Sequence, residues 1–240
     1  MMPNRTEYED GRIIPLTLSA QVADRLRNWV LLGDLAPGEV LVERVLSEKL
    51  GVSRTPMREA LQMLGREGLI AITPNRRPRV ASPGLSDILE LLEVHRLVEA
   101  HGARLAAKQI SQAALTDLQR LLDEMELSGT RRGELEFFEL DMAFHRQIVE
   151  ASGNATLIET HSHLNARLYR TRFLSTQTIS GRPLMQAQHT QILEALRARD
   201  ADRAQARVEE HLHQLGRNIT AIFNESKQGK GTGPQPGKTS

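Results

Sequence analysis

The sequence predicts a mainly α-helical chain in two parts. A small N-terminal domain of three helices and a two-stranded hairpin precedes an all-α antiparallel helical bundle of six to seven helices. Three observations carry this. Apolar residues recur at three- and four-residue spacing through most of the 240 residues, which is the helical period. That period gives way to a two-residue alternation over one stretch, LIAITPNRRPRVAS (69–82). Aromatic residues make up only 3 % of the chain, so the cores rest on Leu, Ala, Val and Ile, as in helical bundles.

Residues 1–16 show no periodic pattern and read as a flexible arm. In LSAQVADRLRNWVLLGDL (18–35), Val22, Leu26, Val30 and Leu31 fall at helical spacing, with Ser19 as the expected N-cap. Pro37 and Gly38 end that helix, and a short one follows over Val42–Leu50, stopped by Gly51. A third begins near Thr55–Pro56, where proline's missing N–H costs nothing, and runs to about Gly68. The hairpin over 69–82 turns at Pro74–Asn75. Residues 17–82 thus read as a winged helix-turn-helix domain. After Pro83–Gly84 the pattern is long helices only, at 85–109, 112–128, 134–152, 155–177, 183–198 and 202–224. They are broken at SGTRRG (128–133), SGN (152–154) and DAD (200–202), and make up a bundle domain over 85–224. The Gly/Pro/Lys-rich end, 225–240, is expected to be disordered.

Composition narrows the function. The chain has no cysteine, which rules out disulfides and thiolate metal sites. The N-terminus is too polar for a signal peptide, and no apolar run approaches the roughly 18 residues of a membrane span, so a cytoplasmic protein is expected. The net charge of +1 conceals an asymmetry: residues 1–82 hold 12 Lys+Arg against 10 Asp+Glu, and residues 83–224 hold 16 against 19.

Local clustering of charge is more telling. In GVSRTPMREAL (51–61), Met57, Ala60 and Leu61, with Leu64 beyond, form an inward stripe. Arg54, Thr55, Arg58 and Gln62 take the opposite face near the helix start. In such folds this end of the second helix of the motif reaches base edges in the major groove. Arginine offers a fork for guanine O6 and N7, serine and threonine serve bases or phosphate, and the helix N-terminus attracts phosphate. Arg44 stands at the start of the preceding helix, where a DNA phosphate would pass, and Arg76, Arg77 and Arg79 lie on the hairpin tip.

The run LAPGEVLVERVLSEKLGVSRTPMREALQMLGREGLIAITPNRRPRV resembles the DNA-binding domain of the GntR regulators, through its PGE run, its LGVSRTPMREAL core and its PNR turn. The resemblance implies double-stranded operator DNA as partner, with contacts from Arg44, Ser53, Arg54, Thr55 and Arg58, and from Asn75 and Arg76 at the wing. Where the family's wing commonly continues with Gly and Ala, this chain has Arg77 and Pro78.

A second constellation lies in the bundle. Asp141 and His145 are one turn apart on a helix face that also carries Phe138 and Ile148. A carboxylate and an imidazole directed at a core need a partner. His189 and His211 each stand eleven residues from Asp200, at the centre of a helical hairpin, so they should face each other, while His213 points away. One Asp and three His from three helices fit a divalent ion such as Zn²⁺, Ni²⁺ or Mn²⁺, one per subunit. His95, His101, His161 and His163 show no comparable spacing and read as surface or core residues.

The bundle is similar to the FCD effector domain of the FadR subfamily of GntR regulators, through LEVHRLVEAHGARLAA, DMAFHRQIVEASGN and the His189–His211 hairpin. The resemblance implies that Asp141, His145, His189 and His211 are the ligands, and that a small carboxylate or sugar acid binds beside the ion. It also implies that an arginine on the first bundle helix, Arg96 here, helps hold that effector. The expected protein is then a homodimer on an imperfect palindrome. Two alternatives are a metal-dependent hydrolase or other enzyme using the Asp/His3 site, and a DNA-binding protein with a purely structural metal. No general base is placed beside the ligands in the manner of an HExxH helix.

Overall fold

A computed structural model describes residues 7–9, 12–14, 17–131, 133–176 and 182–229, with side chains placed over 17–127, 133–176 and 183–225. The chain divides into two units, Met1–Ser82 and Pro83–Ser240. Among the described residues no helix is long and apolar enough to cross a membrane.

In the first unit, strands β1 (Glu7–Glu9) and β2 (Arg12–Ile14) pair antiparallel within the stretch expected to be a loose arm. Three-residue strands are too short to show alternation, but Asp10–Gly11 between them is a sequence signal for a two-residue hairpin. Helix α1 (Leu18–Leu32) is capped by Thr17, whose hydroxyl accepts from the Ala20 N–H. Ser19, expected as the cap, instead donates its hydroxyl to Glu59 Oε2 at 2.6 Å and so ties α1 to the third helix of the unit. Helix α2 (Glu43–Leu50) ends at Gly51 in the left-handed conformation, φ 66°. Helix α3 (Arg54–Arg66) starts one residue earlier than expected. Val22, Leu26, Val30, Met57, Ala60, Leu61 and Leu64 are all buried, so the α1 and α3 stripes meet. Arg27 clamps α1 to α3 through two bonds to Glu67, at 3.0 and 2.7 Å.

The wing is shorter in strand and longer in loop than the alternation suggested. Only Ile70–Ala71 (β3) and Arg79–Val80 (β4) pair. Two of the intervening residues, Pro74 and Pro78, have no N–H to donate to a ladder. Asn75 takes the left-handed turn conformation, φ 60°, which asparagine tolerates. Residues 38–41 add to β4 on its other side, through Gly38 N–H to Val80 O and Leu41 N–H to Pro78 O.

The second unit comprises, among the described residues, α4 (Leu85–Gln109), α5 (Gln112–Arg131), α6 (Glu134–Glu150), α7 (Ala155–Thr176), α8 (Arg182–Arg197) and α9 (Ala201–Gly229). Two helices outrun their expected ends. Helix α5 continues through Ser128–Gly129, since an isolated glycine weakens a helix without stopping it. Helix α9 continues to Gly229 because FNESKQ contains no breaker. The expected disordered tail therefore begins as helix, and its residues 230–240 lie outside the described residues. The core joins Ala100, Ala103, Ala106 and Ala107 of α4 to Phe137, Phe144 and Ile148 of α6 and to Ile192, Leu196, Val208 and Leu212 of α8 and α9. The alanines let neighbouring helices approach α4 closely. Arg199, at φ 54°, turns the chain between α8 and α9, and its guanidinium donates to Ile110 O at the end of α4.

Candidate metal centre and nucleic-acid interface

In the first unit, α3 presents its start to solvent. Ser53 precedes the helix and its hydroxyl makes no capping bond. Arg54, Thr55 and Arg58 are exposed beside it. Arg44, Arg54, Arg58 and Arg77 line one groove together with Glu43 and Pro78. Arg58 pairs with Glu43 at 3.1 Å and Arg44 with Glu48 at 2.7 Å, both at exposed positions where such pairs open easily. Asn75 and Arg76 lie exposed in the wing turn, away from the lining of this groove. Arg79 is not at the wing tip. It sits within β4 and donates to Gly38 O at 3.1 Å. Arg77, which the family comparison of wing residues made a departure, is the wing residue that joins the helix arginines.

In the second unit, Asp141, His145, His189 and His211 are buried and brought together, each offering a ligand atom within 4.8 Å of the others. Helix α6 supplies Asp141 and His145 one turn apart, and the α8–α9 hairpin supplies His189 and His211, whose ring centroids are 4.7 Å apart. Asp141 Oδ1 lies 3.5 Å from His145 Nε2 and 3.4 Å from His189 Nε2. None of these three buried atoms has a hydrogen-bond partner. Buried polar atoms left unsatisfied are costly, so a set of them converging on one point signals a missing common partner. The atom types are those a borderline divalent ion takes, imidazole nitrogen and carboxylate oxygen. The residues present therefore fit a metal ion.

The electrostatics of Asp141, His189 and His211 suit ligation. Burial pushes His189 down to about 3 and His211 well below the usual imidazole range, leaving both neutral with a free lone pair. Burial also opposes charge on Asp141, but His145 and Arg172 outweigh it and hold the carboxyl well below its ordinary range. For His145, too, burial is opposed, here by Glu99 and Asp141, and its pKa rises to about 9.

Several neighbours of this centre carry no signal in the spacing of the four ligands. Arg172 of α7 is 2 % exposed and donates to Asp141 Oδ2 at 3.2 Å and to Asn165 Oδ1 at 2.8 Å. A cavity opens beside Asp141, Arg172 and His211, walled further by Ser175, Thr176 and Gln188. Arg96 does not line it and is partly exposed. The arginine that lines this cavity is Arg172 of α7. Likewise His95 and His161 are not isolated core residues: with Glu99 they form a second buried cluster, and Glu99 also bonds His145.

This architecture falls in the class of DNA-binding transcriptional regulators and outside the enzymes. Residues 18–80 match the family described as bacterial regulatory proteins, gntR family, and residues 90–214 match the FCD domain. The chain belongs to the GntR family, in the branch that carries an FCD domain. The FCD family is associated with metal binding, and the His/Asp cluster is present in this chain. Relatives include the HTH-type transcriptional repressor RspR of Escherichia coli, 28 % identical over 87 % of this chain and 92 % of that one. The Glc operon transcriptional activator of the same species is 31 % identical, over 84 % of this chain and 88 % of the relative. Among solved structures, E. coli McbR/YncC superposes with a TM-score of 0.73 at 25 % identity, covering 88 % of this chain and 99 % of that chain.

Proposed function

We propose that the protein is a homodimeric repressor that binds an imperfect palindrome and changes its DNA affinity when a small carboxylate or sugar acid binds beside one divalent ion per subunit. The observation that carries this reading is the convergence of Asp141 Oδ1, His145 Nε2 and His189 Nε2, partnerless and buried, next to a cavity that also receives Arg172. Asp141, His145, His189 and His211 would hold the ion, with Zn²⁺, Ni²⁺ or Mn²⁺ best suited to this donor set. Such an ion supplies a positive centre to which a carboxylate oxygen can attach.

The remaining steps belong to the chain itself. His145 would hold the ion through Nε2 and would have to give up the proton there to do so. Arg172, held by Asp141 and Asn165, presents its charge at the cavity wall. With a divalent ion held there, Arg172 would leave the site one positive charge in excess of the carboxylates of Asp141 and Glu99, which a monoanion would neutralise. Ser175, Thr176 and Gln188 offer hydroxyl and amide groups for the hydroxyls of an acid sugar. Arg54, Thr55 and Arg58 read bases, while Arg44, Ser53, Asn75, Arg76 and Arg77 hold the backbone and the wing. A second copy covering Leu89, Val94 and Leu97, exposed on one side of α4, would supply the second half-site. Repression is favoured because occupancy of the operator suffices for it, and RspR is named a repressor.

A thermal-shift screen of zinc-loaded protein against small organic and sugar acids tests this. An acid present at about 100 times its dissociation constant adds roughly 2.7 kcal/mol to the state it binds. The shift is expected to vanish with chelator and in Arg172→Gln. A shift that survives both removes the metal and Arg172 from effector binding.

A further inference from the structure

Helix α4 contributes no ligand to the Asp/His3 cluster, yet it carries the buried carboxylate that grips one of the ligands. Glu99 is 0 % exposed, and its Oε1 bonds His145 Nδ1. Its Oε2 lies 3.0 Å from His161 Nε2, 3.4 Å from His95 Nε2 and 3.9 Å from Arg172 Nη1. A carboxylate has no proton to give, so both facing nitrogens, His145 Nδ1 and His161 Nε2, must donate. With its proton fixed on Nδ1, the His145 ring turns Nε2 toward Asp141, the atom found without a partner.

His95, Glu99 and His161 resemble a second cation site, since their ligand atoms also lie within 4.8 Å of one another. Their bonding argues otherwise. His95 Nε2 is bonded to Asn165 Oδ1 at 3.0 Å and His161 Nε2 to Glu99 Oε2 at 3.0 Å, so the facing atoms are already satisfied. In the Asp/His3 cluster the facing atoms of Asp141, His145 and His189 are not. The second cluster is a buttress, built from α4 and α7, around one carboxylate.

We propose that Glu99 is the positioning residue of the metal centre. It holds His145 in the Nδ1–H tautomer with Nε2 free to ligate, it is itself braced by His161 and Arg172, and it is the bond through which the centre engages α4. The proposal rests on the metal reading given above. Carboxylate–histidine–metal arrangements of this kind change metal affinity about 10- to 100-fold when the outer partner is lost.

The test uses full-length protein and Zn²⁺ in competition with a chromophoric chelator. Glu99→Gln, which keeps the side-chain shape, is expected to weaken zinc binding about 10- to 100-fold, with the helical circular dichroism of the metal-free protein unchanged. In zinc-loaded wild type labelled with ¹⁵N-histidine, His145 Nδ1 is expected to carry an exchange-protected, strongly downfield proton, which moves upfield in Glu99→Gln. Zinc affinity in Glu99→Gln within twofold of wild type, or a wild-type His145 whose Nδ1 carries no proton, overturns the proposal. The wild-type spectrum decides even if the variant does not fold. His189→Ala separates the two readings. If it binds zinc as wild type does, the metal centre itself falls and Glu99's role with it. If it loses zinc while Glu99→Gln keeps it, only the role of Glu99 falls.

Discussion

At the scale of single residues, function is written in side chains that break the usual rule for their position. Arg54 and Arg58 stand exposed at the head of a helix whose other face is buried, and breaking the exposed pair of Arg58 with Glu43 costs little stability. Arg54→Ala and Arg58→Ala are therefore expected to cost about 1–3 kcal/mol of specific DNA binding while leaving zinc stoichiometry unchanged, as read by anisotropy and metal analysis on the same samples. Equal weakening on specific and random duplexes would reassign these arginines to phosphate contact. How much of the site the sequence disclosed depends on the kind of spacing involved. Asp141 with His145 one turn on, and His189 with His211 symmetric about Asp200, stand in relations that helix geometry turns directly into proximity. Glu99, His161 and Arg172 belong to helices with no hairpin relation to these, and only the packing brings them in. One signal was available. Ile88, Leu92, His95 and Glu99 fall on a single α4 stripe, all buried, whereas Arg96 lies to one side of it. Measured from the centre of that stripe, Arg96 stands about 70° away, so the stripe assigns Glu99 to the interior and leaves Arg96 at the edge.

At the scale of elements, helix existence followed from periodicity, and helix ends followed from local chemistry that periodicity does not report. Thr17 lies before the first apolar repeat, so the pattern pointed to Ser19, but only Thr17 has the extended backbone and the reach to the Ala20 N–H. Thr17→Ala is expected to cost about 1 kcal/mol in urea unfolding. Ser19→Ala, which loses an exposed bond to Glu59, should cost less. The reverse order would restore Ser19 as the cap. The wing was legible as a turn from Pro74–Asn75, and Arg79 was misplaced because its distant partner, Gly38, lies outside the hairpin altogether. The overruns of α5 and α9 have local causes too: Gly129 without a proline is a weak stop for α5, and α9 meets no breaker at its expected end.

At the scale of the whole molecule, the two units carry separate chemistries, and covalent continuity from Ser82 to α4 joins them. The class of protein was legible throughout, because the motif of the first unit and the Asp/His3 pattern of the second are both dense in sequence. The acid that the cavity takes is a matter of shape and of Arg172, neither of which spacing reveals. The central claim is that an acid bound beside the ion alters DNA affinity. It is tested most directly by fluorescence anisotropy on an operator selected from random duplex DNA, at fixed salt. Zinc-loaded wild type and His189→Ala are titrated with and without each acid that raises the melting temperature. The account predicts at least a tenfold change in affinity for wild type, a coupling of about 1.4 kcal/mol, and none for His189→Ala. An unchanged wild-type affinity, or an equal change in His189→Ala, would contradict it.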